Sequence, residues 1–267
     1  MQRAPLWARL AFRLDLASRR FTAVLRVLLE ELICARVPAA ARPAVSNEVF
    51  DRLGWYYLPG GTLHREGVWE WELAAIATMG LKPGDAVLVC ASGGGREIDA
   101  LTERGYSVRG FDPSALMSSR PASQVSRGAY DDLVRGVTHR DGPLADLARC
   151  HFDGIILGWG SMNHVLTDED RHALFHALRA QWPAASLLVS YQEDREEHHE
   201  SAQLARLRRR VRTWFGTDRH SPNVEFFMAA GFMHFPSHAE VAALAEDTGY
   251  RVAHAGGPYP HDVLTPI

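Results

Sequence analysis

Ala86-Val87-Leu88-Val89-Cys90-Ala91-Ser92-Gly93-Gly94-Gly95-Arg96-Glu97 is the stretch that decides the fold: an apolar strand breaks into three glycines and then turns helical. Glycines at such a turn adopt positive φ and let a ligand approach the backbone, and the first turn of the following helix offers unpaired N–H groups. Seventeen residues after Gly95, the run Ser107-Val108-Arg109-Gly110-Phe111 finishes at Asp112. In a doubly wound sheet, an acid at that point is placed to hold a ribose.

Spacing and absences narrow the reading. A dinucleotide fingerprint needs a third glycine three residues beyond the second, and that position is Ile98. A phosphate-binding P-loop needs Gly-Lys-Ser/Thr, whereas Gly95 is followed by Arg96-Glu97 and the only lysine is Lys82. Glu97, in the first helical turn, disfavours an anionic ligand there. It suits either a neighbouring positive sulfonium or simply the helix dipole.

From residue 87 to Asp112, and again from Phe152 to Tyr191, the sequence resembles the class I S-adenosylmethionine-dependent methyltransferases. The resemblance covers most of the chain from about Trp69 onward. It implies an α/β fold: a doubly wound, mainly parallel seven-stranded sheet (the Rossmann-like methyltransferase fold) with an N-terminal helical cap. S-adenosyl-L-methionine is the implied cofactor, with Ala91, Gly93, Gly95 and Glu97 at its methionine side and Asp112 on the ribose. Two positions depart from the family pattern. The acid often found within strand one is Val89, and the first loop glycine is Ala91.

Gly128-Ala129-Tyr130-Asp131-Asp132-Leu133 resembles the segment that covers the adenine, although the usual acid falls on Ala129. Tyr130 is then the residue to stack on the base, with Asp131 or Asp132 on its exocyclic amine. Phe152-Asp153-Gly154-Ile155-Ile156-Leu157-Gly158-Trp159-Gly160-Ser161 reads as a buried strand whose end, Gly158, Trp159 and Gly160, forms the opposite wall. His164 follows at the carboxyl edge of the sheet, where open α/β sheets bind ligands, and is the first candidate for a catalytic base. The ordinary alternative is a loop histidine bonded to backbone. His234 and Tyr191 are weaker candidates on the same grounds.

A chain of 267 residues accommodates one α/β domain with an appendage. The expected division is a helical cap over 1–66 and a cofactor-binding domain over 67–267, with an insertion at about 192–235. Net charge −3 provides no global field for nucleic acid, and none is expected as a partner. The resembled amino-methyltransferases of bases also carry Asp/Asn-Pro-Pro-aromatic where Gly158-Trp159-Gly160-Ser161 stands here. A small-molecule methyl acceptor, methylated on oxygen or nitrogen, is the expected partner. Homo-oligomerisation is left open.

Three unclustered cysteines, Cys34, Cys90 and Cys150, argue against a disulfide framework or a zinc site and suit a cytoplasmic protein. No signal peptide or apolar run of spanning length is evident, so stable membrane insertion is not expected. His172 and His176 lack the glutamate and third ligand of a zincin, and His198-His199-Glu200 reads as surface. No metal is expected. Residues 5–37 read as one or two helices rich in arginine and leucine, packed on their own domain or resting on anionic membrane. Residues 45–64 read as an aromatic connection containing Trp55, Tyr56 and Tyr57, and Trp69 and Trp71 serve core packing or an acceptor pocket. The run after Tyr191 to Arg212 reads as a solvated helix.

Two other functions remain in view. The missing strand-one acid motivates a non-catalytic cofactor-binding module, and an NAD-dependent oxidoreductase is disfavoured by Ile98.

Overall fold

The computed structural model describes residues 5–119, 124–193, 202–217, 224–257 and 259–267. The chain begins with α1 (Leu6–Arg36), α2 (Arg42–Arg52), α3 (Gly54–Tyr57), α4 (Thr62–Arg65) and α5 (Glu70–Thr78). It continues through β1 (Ala86–Cys90), α6 (Arg96–Thr102), β2 (Ser107–Asp112), β3 (Val125–Arg127), α7 (Tyr130–His139), α8 (Ala145–Ala148) and β4 (Gly154–Leu157). α9 (Asp168–Gln181), β5 (Ser186–Ser190), α10 (Ala202–Phe215), β6 (Val224–Phe227) and β7 (Gly231–His234) follow. α11 (His238–Asp247), β8 (Tyr250–Ala255) and β9 (His261–Pro266) complete it.

Seven strands form one sheet in the order β3-β2-β1-β4-β5-β9-β8. β1 to β5 are parallel, and β9 runs antiparallel between β5 and β8. This is the doubly wound, mainly parallel seven-stranded sheet that the resemblance implies. The central strands are apolar on both faces because helices cover both. Leu88, Cys90, Ile155, Leu157, Leu187 and Val189 share a core with residues of α7, α9 and α11. The alternate residues Val87, Val89, Ile156 and Leu188 point the other way, onto α5 and α6. Strand order reverses between β1 and β4, which opens a crevice at their carboxyl ends.

A third, smaller core lies outside the sheet. Cys34 of α1 packs with Val224, Phe226 and Phe232 of the β6–β7 hairpin, joined by Ile33, Val37, Val45 and Val49. The N-terminal helices and the segment after β5 therefore build one unit, although they are far apart in sequence. Two expectations change accordingly. The connection over 45–64 is largely helical (α2, α3 and α4), and the stretch expected as an insertion at about 192–235 carries the β6–β7 hairpin at 224–234.

α10 is also not a solvated helix on all sides. Arg208 donates to Glu31 at 3.0 Å and to Glu30 at 2.8 Å, and Arg212 lies 3.7 Å from Glu31 and 3.8 Å from Glu225, all of them buried. Its arginine-rich sequence resembles a surface helix because the partner acids lie on α1, about 180 positions away. Burial pushes the Glu31 carboxyl above its ordinary range, and the arginines pull it back. Removing one partner from such a cluster strands the others in a low-dielectric interior. Arg208→Ala should therefore lower unfolding free energy by about 3 kcal/mol in urea denaturation. A loss below about 1 kcal/mol, typical of exposed pairs, would show that the cluster is effectively solvated.

Candidate functional site

The glycine loop sits at the carboxyl end of β1, where the strand order reverses. Ser92 N–H donates to Phe111 O at 2.9 Å, and Gly93 N–H donates to Asp112 Oδ2 at 2.8 Å. Ser114 N–H donates to the other oxygen, Oδ1, at 2.9 Å. Asp112 is buried, and desolvation raises its pKa to about 6 even though both backbone donors favour the charged form; Asp51 adds a further upward push. Each carboxylate oxygen has two lone-pair directions, so the two backbone bonds leave acceptor capacity for a diol.

Left-handed backbone recurs at Ala91 (φ 49°), Gly93 (φ 53°) and Gly95 (φ 87°). Gly95 needs it to launch α6, whereas Ala91 adopts it against the preference of an L side chain. Gly94 is required for a different reason: a Cβ there would collide with the carbonyl of Tyr57. The α3 segment of the cap thus lies directly on the glycine loop.

The facing wall begins at Gly158 and Trp159, the latter at φ 34°, followed by Gly160 at φ 74°. Gly160 N–H donates to Ser190 Oγ at 3.1 Å. A short turn over Ser161–His164 follows, and Asn163 fixes it by donating to His234 O at 2.7 Å and Gln192 O at 3.0 Å while accepting from Gln192 N–H at 2.9 Å. The turn positions His164, whose Nδ1 lies 3.0 Å from Phe232 O. A carbonyl can only accept, so Nδ1 carries the proton and Nε2 carries the lone pair. Burial lowers the His164 pKa, an effect partly opposed by that bond, and keeps the ring neutral at pH 7. Ser161 Oγ is buried without a hydrogen-bond partner among the described residues.

Tyr130 opens α7, with its ring edge-on to Phe111 at 5.7 Å and its hydroxyl 3.5 Å from Ser161 O, so it bridges the two walls. Asp131, one residue further round the helix, lines a groove of about 440 Å³ between α7 and α9 with Val134, Asp170 and Ala173. Asp132 accepts from Ala129 N–H at 2.9 Å as a helix cap.

Glu97 belongs to a buried cluster. Arg96 donates to Glu97 Oε1 at 2.6 Å and to both oxygens of Glu72, at 2.6 and 2.9 Å, and lies 3.9 Å from the centre of the Trp69 ring. Two carboxylates thus share one guanidinium. A Cβ on Gly158 would lie 3.2 Å from Glu97 Oε1, so the carboxylate reaches the rim between the two walls.

Aromatic rings continue along that rim. Trp159 meets Trp69 at 5.4 Å and Tyr57 at 6.2 Å; Tyr57 meets Phe50 at 5.9 Å, and Phe50 meets His164 at 5.3 Å. In the other direction, Trp69 leads to Trp71 and then to Tyr259 and His261. Trp69 and Trp71 are therefore rim residues as well as packing residues.

The weaker candidates are engaged elsewhere. Tyr191 hydroxyl donates to Asp262 at 2.7 Å, His234 is buried 3.8 Å from Glu240, and His172 bonds to the carbonyl of Asp168. His198, His199 and Glu200 lie outside the described residues. Among the described residues, no three His, Cys, Asp or Glu side chains are grouped to hold a metal ion. Sequence reasoning missed Asp51, whose carboxylate bonds Ser114 Oγ beside Asp112, and also Arg96, Asn163 and Tyr259.

No protein-family model and no curated protein matches the sequence. Solved structures do match. A protein of Pyrococcus horikoshii superposes with a TM-score of 0.54 at 15% identity, covering 80% of this chain and 95% of that one. The 1,6-didemethyltoxoflavin-N1-methyltransferase of Burkholderia thailandensis, crystallised with 1,6-didemethyltoxoflavin and S-adenosylhomocysteine, superposes with a TM-score of 0.52 at 15% identity, covering 86% and 91%. The chain has the class I methyltransferase fold. Within it, Ala91 stands at a left-handed position that the resembled family fills with glycine. Ala91→Gly should stabilise the protein by about 0.5–1 kcal/mol, the relief of left-handed strain less the added chain entropy of glycine. Unchanged or lower stability in a thermal melt would show that the loop carries no strain at this point.

Proposed function

We propose that the protein is an S-adenosyl-L-methionine-dependent methyltransferase acting on an oxygen or nitrogen of a small molecule. The observation that carries the reading is Asp112, buried at the end of β2 with its carboxylate anchored by Gly93 N–H. The residues present fit the cofactor. Gly93 and Gly95 line the methionine side with side-chain-free backbone, with Ala91 beside them, and Asp112 accepts the ribose hydroxyls. Tyr130, with Asp131 next to it, lies at the adenine end, and Gly158, Trp159 and Gly160 form the inner wall. The unpartnered Ser161 hydroxyl is consistent with a polar group completing that wall.

Glu97 takes the place of the acid missing at Val89. The Glu72–Arg96–Glu97 cluster holds one carboxylate more than it has cations, which suits the ammonium and sulfonium charges of the cofactor. The cofactor supplies an electrophilic methyl group for in-line displacement. The protein's part is to align the acceptor, exclude water and take up a proton. The rim formed by Phe50, Tyr57 and Trp159 excludes water and suits a flat acceptor, and His164, whose ring meets Phe50 of that rim, serves as the general base. Free thiols among the described residues are in keeping with a cytoplasmic protein.

Calorimetric titration tests the reading. S-adenosylhomocysteine should bind and NAD should not, and Asp112→Asn should weaken binding by about a hundredfold, the loss of charge-assisted bonds to a diol. Binding of NAD alone would overturn it. Methylated product in a panel of phenols, carboxylic acids and amines separates an enzyme from a cofactor-binding module.

The diol needs the ionised Asp112 carboxylate, so affinity for S-adenosylhomocysteine should be level above pH of about 6 and fall up to tenfold per unit below it. Asp112→Asn should flatten that profile, and an unaltered profile would place the titrating group elsewhere. Glu97→Gln should weaken S-adenosylhomocysteine by about tenfold while leaving 5′-methylthioadenosine, which lacks the amino acid, unchanged. Equal losses for both ligands would remove Glu97 from the amino acid end.

A further inference from the structure

The helix pair α1 and α10 carries a charge opposite to that of the molecule as a whole. Together these helices hold eleven arginines and three acids, in a chain of net charge −3. All three acids are engaged: Glu30 and Glu31 are buried against Arg208, and Asp15 pairs with Arg19 at 2.8 Å. Arg13, Arg20, Arg26, Arg209 and Arg210 are exposed.

Both helices also expose apolar side chains: on α1 Phe21 is 70% exposed and Phe12, on the other side of the helix, is 72% exposed, and Trp214, near the end of α10, is 78% exposed. Leu14, Phe21, Leu25 and Leu32 are exposed at intervals of seven and four, which places them along one side of α1. The opposite side, at Val27, Glu31 and Cys34, is the one buried on the body. Residues 12–22 are exposed throughout, so over that stretch the helix does not pack on its own domain as expected, whereas Val27, Glu30, Glu31 and Cys34 do.

We propose that the α1–α10 unit is a docking surface for anionic membrane, with α1 lying in the plane of the headgroups. Hydrocarbon accepts Phe21 and the leucines in line with it while lipid phosphates meet the arginines that flank them. A second copy of the chain would cover the apolar stripe, yet it would bring the like-charged arginines of two helices together with no acid left to pair them. A nucleic acid would neutralise the arginines and leave the apolar stripe in water. No helix among the described residues is long and apolar enough to cross a membrane, so the contact is with the surface.

Flotation of the full-length protein with vesicles tests the proposal. Binding to phosphatidylcholine containing about a quarter phosphatidylglycerol should exceed binding to phosphatidylcholine alone by at least about tenfold, and should weaken in about 0.5 M salt. The triple variant Arg13→Glu, Arg20→Glu, Arg26→Glu should lose binding. The pair Phe21→Ser, Leu25→Ser should weaken it by about tenfold, with far-UV circular dichroism and the melting temperature unchanged because both sites are exposed. Equal affinity for neutral and anionic vesicles, or binding that survives charge reversal, would overturn it. So would a dimer in sedimentation velocity that Phe21→Ser, Leu25→Ser dissolves while neither form binds vesicles.

Discussion

The hydrogen bond from Gly93 N–H to the Asp112 carboxylate joins the first loop to the end of the neighbouring strand, and the geometry of the crevice depends on it. β1 and β2 are already parallel neighbours, with Cys90 opposite Phe111. Beyond that pair the ladder ends, and Ser92 N–H to Phe111 O followed by Gly93 N–H to Asp112 extend the connection into the loop. Burial opposes the charge on Asp112 while the two backbone donors support it, and the balance leaves its pKa near 6. A carboxylate kept at this cost is what the proposed contact to the ribose hydroxyls requires.

The cap is held by two different kinds of contact. Where α3 crosses Gly94, it rests on backbone with no room for a side chain. Where α1 meets α10 and the β6–β7 hairpin, it is held by a small apolar core around Cys34, Phe226 and Phe232 and by the buried cluster of Glu30, Glu31, Arg208 and Arg212. Such ionic contacts are directional, and they fix which helix faces meet more than they add stability. The result is a cap tied to the segment after β5, with Phe50 and Tyr57 brought to the rim beside Trp159 and His164.

The sheet was legible because its signals are local. Apolar runs at 86–90 and 154–157 end in glycines, the turn residues lie next to them, and Asp112 follows at a fixed spacing within one strand–helix–strand unit. Thr167 and Ser237, each directly before a helix, cap α9 and α11 by accepting the backbone N–H three residues on, an equally local signal. The cap was not legible in the same way. α10 carries arginines that resemble a solvated face until Glu30 and Glu31 arrive from the other end of the chain. The same holds at the site: Asp51 reaches Ser114, and Tyr259 reaches Trp71, only because the fold closes loops with no shared motif. At α7 the sequence names Tyr130 and Asp131 together, and the fold adds that Tyr130 bridges the two walls while Asp131 lines the groove between α7 and α9.

The most direct measurement is a crystal structure of the protein grown with S-adenosylhomocysteine. The ribose hydroxyls should lie within hydrogen-bond distance of the Asp112 carboxylate, with the amino acid end beside Glu97 and the sulfur turned toward the aromatic rim and His164. A ligand seated elsewhere, such as the groove between α7 and α9, with Asp112 untouched, would contradict it.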